Sequence, residues 1–77
     1  MPTVHREDGF RVVIWPNDHR PPHVHVFTAA GEAVIELDPI RVREYIGMKP
    51  SEVVGAIRIV DAHRKRLNDA WEEIHGT

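Results

Sequence analysis

Three histidines lie close together in the stretch "DHRPPHVHV", which runs from Asp18 to Val26. His23 and His25 are two residues apart, and on a β-strand this spacing directs both imidazoles to one face. Histidine ionises near neutral pH, so one imidazole can accept a proton while another donates one. The stretch therefore predicts general acid–base chemistry, with His23, His25 and His19 as the catalytic candidates.

Cleavage of RNA by its own 2′-hydroxyl group is one reaction that such a pair would support. This reaction needs a proton acceptor and a proton donor but neither a metal ion nor a thiol, so on this hypothesis we expect no cofactor. Positive side chains would then hold the phosphate. The candidates for substrate binding are Asp18, Arg11, Arg20 and Arg41.

The same residues also suggest a metal site. His23 and His25 would supply two ligands and His19 or Asp18 a third, which leaves an open position for water as in catalytic zinc sites. A third interpretation is structural: the histidines form a polar strand face and bond to Glu36 or to backbone groups. The sequence alone leaves these three interpretations open.

The composition describes a single small domain, residues 1–77, with no cysteine. Disulfides and thiolate metal sites are therefore excluded. A chain of this size buries only about 60% of its unfolded surface, so self-association or a partner chain is expected to add stability. The net charge of -2 argues against broad nonspecific binding to nucleic acid but is compatible with one local anion site. Because the sequence has no transmembrane run and no signal-peptide pattern, we expect a cytoplasmic protein.

Alternation of polar and apolar residues predicts three strands, over residues 10–15, 23–28 and 32–37. Sequential antiparallel pairing would join them into a meander. The short connection before the third strand contains Gly31, which we expect to supply a positive φ. Residues 39–48 are predicted either as a short helical turn or as an extended segment at the sheet edge.

A long C-terminal helix is predicted from Pro50 to Gly76, because proline suits the first turn and apolar residues then recur near heptad spacing. About 25 helical residues would span roughly 37 Å, whereas the strands are about 20 Å long. The helix should therefore overhang the sheet, break near "DAHRKR" or dock elsewhere. The expected fold is α+β, a three-stranded antiparallel meander packed on one long C-terminal helix (a β-β-β-α two-layer sandwich).

One helix covers only one face of this sheet. The residues expected to face the helix are Phe10, Val12, Ile14, Val24, Val26, Ala33, Ile35 and Leu37. The opposite face carries the two histidines of the strand together with four apolar side chains: Val13, Trp15, Phe27 and Val34. So apolar a surface predicts an interface with a partner, with a second copy of the chain, or with residues 39–47 folded back.

Several motifs resemble the DUF4160 family of small bacterial proteins: "DGFR" near the start, "NDHRPPHVHV", "GEAVIELDP" and an "AW" pair near the end. The resemblance covers nearly the whole chain, and the histidine stretch is its most specific part. Such proteins are often encoded beside small DUF2442 proteins, an arrangement similar to a toxin–antitoxin pair. The resemblance therefore implies a toxin–antitoxin-like module, with RNA and a small antitoxin-like protein as expected partners.

Two hypotheses of different classes result. In the first, the protein binds or cleaves RNA through its histidine pair, and any enzymatic activity is that of a metal-independent ribonuclease. In the second, it is a non-enzymatic interaction module that forms a homo-oligomer or binds a DUF2442-type partner. A histidine-rich metal-binding domain is a further alternative.

Overall fold

The computed structural model describes residues 3–76, which form one five-stranded antiparallel sheet followed by two helices. The strands lie in the sheet in sequence order. They are β1 (Thr3–Glu7), β2 (Phe10–Val13), β3 (His23–Phe27), β4 (Glu32–Leu37) and β5 (Ile40–Ile46). The helices are α1 (Pro50–Ala62) and α2 (Arg64–His75).

The α+β class is confirmed, but the prediction of three strands is wrong because the sheet has an additional strand at each edge. β1 is joined to β2 by Asp8 and Gly9, whose φ angles are both positive, at 51° and 82°. An Asp-Gly pair is a strong hairpin signal because a two-residue turn of this kind needs positive φ at both positions. Residues 39–48 were predicted either as a short helical turn or as an extended segment at the sheet edge. They are extended and contain β5, so the helical turn is not formed.

The prediction of one uninterrupted helix is also wrong, whereas the expected alternative of a break near "DAHRKR" is confirmed, at His63. His63 has φ −115° and ψ 21°, which lies outside helical geometry. The break resolves the mismatch in length, since α1 packs on β4 and β5 while α2 packs on β4 and on α1. Neither helix is long and apolar enough to cross a membrane.

The hydrophobic core lies between the helices and the face of the sheet that was predicted to meet them. The sheet contributes Val12, Val24, Val26, Ala33, Ile35 and Leu37, and Ile14 follows directly after β2; all are fully buried, with Phe10 packed against them. The helices contribute Val53, Ala56, Ile59, Val60, Leu67 and Trp71. The predicted division of the strand residues between the two faces is therefore confirmed for the helix side.

The opposite face of the sheet is less open than the sequence suggests. Val13 and Val34 are buried within the chain itself, so they offer little surface to a partner. Trp15 is 40% exposed, and Phe27 is partly exposed beneath the guanidinium of Arg11, 5.1 Å from the ring centroid. An interface at these positions stays a prediction, and Trp15 and Phe27 are the residues available for it.

Gly31 approaches β5 too closely to carry a side chain. A Cβ atom at this position would lie 2.8 Å from the Cα of Gly47 and would also meet the carbonyl oxygen of Ile46. The expected positive φ is not found at Gly31, whereas Gly9, Gly47 and Gly76 have it. The hairpin between β3 and β4 therefore uses glycine for close approach of two backbones.

We expect Gly31→Ala to lower the free energy of unfolding by about 1–3 kcal/mol, because the added methyl group must displace the backbone of β5. Urea denaturation followed by circular dichroism measures this change. Gly9→Asn is the matched control, since no atom lies within 4 Å of a Cβ at Gly9 and asparagine tolerates positive φ. Equal losses in the two variants would contradict the close-approach explanation.

Candidate functional site

His23 and His25 lie side by side on β3, where they alternate with the core residues Val24 and Val26, and the His23 ring also reaches Trp71 of α2. β3 is the central strand, between β2 and β4. His23 is buried, His25 is partly buried, and their ring centroids are 5.3 Å apart. The rigid centre of the sheet thus fixes the position of both imidazoles.

Asp18, in the loop between β2 and β3, places a carboxylate oxygen between the two imidazoles. Its Oδ2 atom lies 3.3 Å from His23 Nε2 and 3.1 Å from His25 Nε2. The loop is held by a tight turn, in which the Asp18 N–H donates to the Trp15 carbonyl at 3.1 Å. The Trp15 N–H in turn donates to Asp18 Oδ2 at 3.4 Å. We refer to Asp18, His23 and His25 as the triad.

The second nitrogen of each imidazole is bonded to a group that only accepts hydrogen bonds. His23 Nδ1 donates to the carbonyl of Pro21 at 2.9 Å, and His25 Nδ1 donates to Glu32 Oε2 at 2.8 Å. Each Nδ1 must therefore carry a proton, which leaves a lone pair on Nε2 when the ring is neutral. With both rings neutral, two imidazole lone pairs and one carboxylate oxygen face a single point, whereas a proton on His25 Nε2 would instead be donated to Asp18 Oδ2 at 3.1 Å.

The spacing between Asp18 Oδ2 and each of the two Nε2 atoms suits a divalent metal ion. Transition metals bind imidazole and carboxylate at about 2.0–2.1 Å, which separates neighbouring ligand atoms by about 2.9 Å in octahedral and about 3.3 Å in tetrahedral geometry. The two separations from the Asp18 oxygen, 3.1 and 3.3 Å, lie within this interval. All three atoms lie within 4.8 Å of one another.

The surroundings of the triad also resemble those of a metal site. Histidines that bind metals usually donate their other N–H to a backbone carbonyl or a carboxylate, and these outer contacts orient the ring. Pro21 and Glu32 supply one of each. Two tryptophans support the rings: Trp71 lies 5.2 Å from the His23 ring and Trp15 lies 6.4 Å from the His25 ring, between centroids.

A cavity of about 340 Å³ opens beside the triad. Its lining comprises Asn17, Asp18, His19, Arg20, His23, His25, Val34, Arg43 and Glu44. The side chains of Asp18 and His25 are 18% and 16% exposed to solvent. A small molecule can therefore reach the triad from solvent.

The cavity brings together most of the residues that the sequence suggested for chemistry. Asp18, His19 and Arg20 line it with the two strand histidines. Arg11 lies instead over the ring of Phe27, and Arg41 is largely exposed, 3.4 Å from Glu36. Neither Arg11 nor Arg41 is part of the lining, and their roles in binding substrate stay predictions.

Four residues of the site were not predicted: Asn17, Glu32, Arg43 and Glu44. Glu32 can be deduced once β3 and β4 are paired, because it lies on the same face and diagonally across from His25. Arg43 and Glu44 depend on an irregular register in β5. No pattern in the sequence marks that irregularity.

A second cluster, formed by His5, Glu7 and His63, joins β1 to the helix break. His5 Nε2 lies 2.9 Å and His63 Nε2 lies 3.2 Å from Glu7 Oε1. Here Arg66 donates to His5 Nδ1 at 2.6 Å, so Nδ1 is the acceptor and Nε2 carries the proton. This tautomer leaves no lone pair on Nε2 for a metal, and the cluster is a hydrogen-bonded link between the N-terminal strand and the helices.

Hydrogen bonds from His5 and then His63 lower the pKa of Glu7 below its ordinary value of 4.5. Because the folded-state pKa is lowered, the ionised carboxylate stabilises the fold above about pH 4.5, and this contribution is lost as the pH falls through the lowered value. We expect Glu7→Gln to make the melting temperature less dependent on pH below 4.5. Scanning calorimetry of both proteins across this range measures the effect, and parallel curves would contradict it.

The amino-acid sequence was compared with models of known protein families. The model described as "Domain of unknown function (DUF4160)" matches residues 9–72. The match includes the triad and every residue of the cavity lining, and it begins after His5 and Glu7. No curated protein and no solved structure matches the chain.

Proposed function

Because the chain belongs to the DUF4160 family, whose description states no function, we propose a function from the geometry of the site. Asp18, His23 and His25 bind one divalent transition-metal ion, which serves hydrolytic chemistry in the adjoining cavity. One observation carries this proposal: the two Nε2 atoms and the Asp18 oxygen converge, while both Nδ1 atoms are bonded elsewhere, so neutral rings direct two lone pairs and a carboxylate oxygen to one point. A single cation satisfies all three atoms.

The donor set indicates which ions the triad would bind. Imidazole suits zinc, iron, copper and nickel, and two histidines with one carboxylate also form the ligand face of non-haem iron(II) sites. Three protein ligands leave at least one position for water, as in catalytic zinc sites. A metal ion lowers the pKa of a bound water, which makes it a nucleophile at neutral pH.

The geometry gives less support to metal-independent acid–base catalysis by the histidine pair. The ring nitrogens of His23 and His25 all face protein groups: Pro21, Glu32 and, for both Nε2 atoms, Asp18. A substrate would have to displace Asp18 before it could exchange a proton with either ring. RNA as a substrate and a toxin–antitoxin-like role remain part of the proposal, since metal ions also promote the cleavage of phosphodiesters.

A non-enzymatic role in binding a second copy of the chain or a DUF2442-type protein is the second candidate. It is favoured by large apolar side chains that stay exposed, namely Trp15, Tyr45, Ile46 and Val54. Light scattering at high protein concentration tests the self-association part of this candidate, and a chain that stays monomeric gives that part no support.

Native fluorescence tests the metal site directly, because the two tryptophans of the chain each lie against one histidine of the triad. Copper(II) and cobalt(II) quench nearby indoles, so titration of untagged protein should give saturable quenching with one equivalent of metal per chain. Zinc should compete and restore the signal. The His63→Ala variant should behave like the parent, whereas Asp18→Asn should lose the saturable phase. Quenching that does not saturate, or that is unchanged in Asp18→Asn, would overturn the proposal.

A further inference from the structure

Arg43 enters the cavity from an irregular point in β5. Val34 pairs with Glu44, but the next residue of β4, Ile35, pairs with Val42, so Arg43 has no partner on β4. Such a β-bulge redirects side chains and is common beside active sites. The bulge places Arg43 on the wall of the cavity that also contains the triad.

The guanidinium of Arg43 is anchored at one nitrogen only. Its Nε donates to Glu36 Oε2 at 3.2 Å, and within residues 3–76 neither Nη atom has a hydrogen-bond partner. Burial opposes ionisation of Glu36, but the hydrogen bond from Arg43 and the charges of Arg41 and Arg43 together lower the pKa of that carboxyl. Glu36 is therefore ionised at neutral pH and orients Arg43, whose two Nη groups keep their N–H donors.

The charges around the cavity favour an anionic ligand once a metal is bound. The lining contains two arginines, Arg20 and Arg43, and two carboxylates, Asp18 and Glu44, whose charges cancel. A divalent ion at the triad then leaves two positive charges on the lining when the histidines are neutral, and the carboxylates bonded to Arg43, Arg20 and His25, which are Glu36, Glu72 and Glu32, do not line the cavity. Arg20 is itself held in place by Glu72, whose two oxygens lie 3.1 and 3.2 Å from its Nη2 atom.

We propose that the cavity takes the phosphate group of a phosphate ester, with one oxygen directed to the metal and others accepting hydrogen bonds from Arg43. This inference rests on the proposed metal site. Arginine presents a planar fork of donors that matches phosphate oxygens in pairs, and such charge-assisted bonds are the strong ones. In the hydrolysis, the oxygen of a water forms a bond to phosphorus and the P–O bond to the alcohol breaks. The alcohol leaves with a proton from that water, and nothing is oxidised or reduced.

Calorimetric titration of zinc-loaded protein with phenyl phosphate and with diphenyl phosphate tests this inference. We expect the parent to bind at least one of them and Arg43→Gln to bind it about ten- to a hundredfold more weakly. Arg64→Gln is the matched control, because Arg64 is an exposed arginine on α2 that does not line the cavity. Tighter binding of the diester supports an RNA-like substrate, and tighter binding of the monoester supports a small phosphate ester.

The fluorescence titration is repeated on Arg43→Gln to separate the two proposals. Unchanged metal binding combined with weaker ester binding supports the inference. Metal binding without binding of either ester, or with equal ester affinity in Arg43→Gln and the parent, would overturn the inference and leave the metal site intact. Absence of metal binding in the parent would overturn the proposed function itself.

Discussion

Replacing His25 with alanine is expected to weaken zinc binding by at least about a hundredfold. Loss of an outer contact to a metal ligand alone costs about ten- to a hundredfold in affinity, and this substitution removes the ligand itself. It also leaves the Glu32 carboxylate without its hydrogen bond at 2.8 Å. Calorimetric titration of untagged protein in the presence of a competing chelator measures the change.

Two further variants show whether the loss is specific to the triad. His19 lines the same cavity but is not one of the three converging residues, so His19→Ala should bind zinc with the affinity of the parent. Glu32→Gln should weaken binding by about ten- to a hundredfold, because an amide oxygen is a poorer acceptor for His25 Nδ1. A loss in His19→Ala as large as that in His25→Ala would show that the ligand set is wrong.

The largest effect on stability is expected for Trp71→Ala, which should lower the free energy of unfolding by about 3–5 kcal/mol. Trp71 is fully buried in the core of the sheet and helices, and it packs against the His23 ring. A chain of this size has a total stability of about 4–12 kcal/mol, so the variant should be close to unfolding. Urea denaturation followed by circular dichroism measures the loss.

Trp15→Ala is the matched control for this prediction, because Trp15 is 40% exposed and its truncation should cost about 0.5 kcal/mol or less. Trp71→Phe should lie between the two. It keeps an aromatic ring behind His23, and the indole nitrogen that it removes has no hydrogen-bond partner within the described residues. Similar losses for Trp15→Ala and Trp71→Ala would contradict the placement of α2 against the sheet.

The part of the site that lies on regular strands could be predicted from the sequence. The two-residue spacing of His23 and His25 places both on one face, and β4 has its predicted bounds, Glu32–Leu37. The sequence named Asp18 and His19 as alternative third members of the site but could not decide between them, because the position of Asp18 depends on the turn at Trp15 in an irregular loop. The contribution of Arg43 also could not be predicted, since a bulge changes which residues of β5 face the cavity.

The two edge strands and the helix break escaped prediction for different reasons. The sequence of β1, "TVHRE", is too polar to predict a strand by its own pattern. Only the Asp8-Gly9 turn that follows it indicates a hairpin. The bulge in β5 interrupts its alternation of side chains. At His63 neither glycine nor proline marks the break, and the apolar spacing continues on both sides. That break is imposed by packing both helices on a short sheet.

The most direct test of the account is nuclear magnetic resonance of the histidine ring nitrogens before and after addition of one equivalent of zinc to untagged protein. The account predicts that Nε2 of His23 and His25 coordinates the metal while both Nδ1–H protons are retained. The rings of His5 and His63 should be unchanged. Coordination through Nδ1, or ring signals of His23 and His25 that do not respond to zinc, would contradict it.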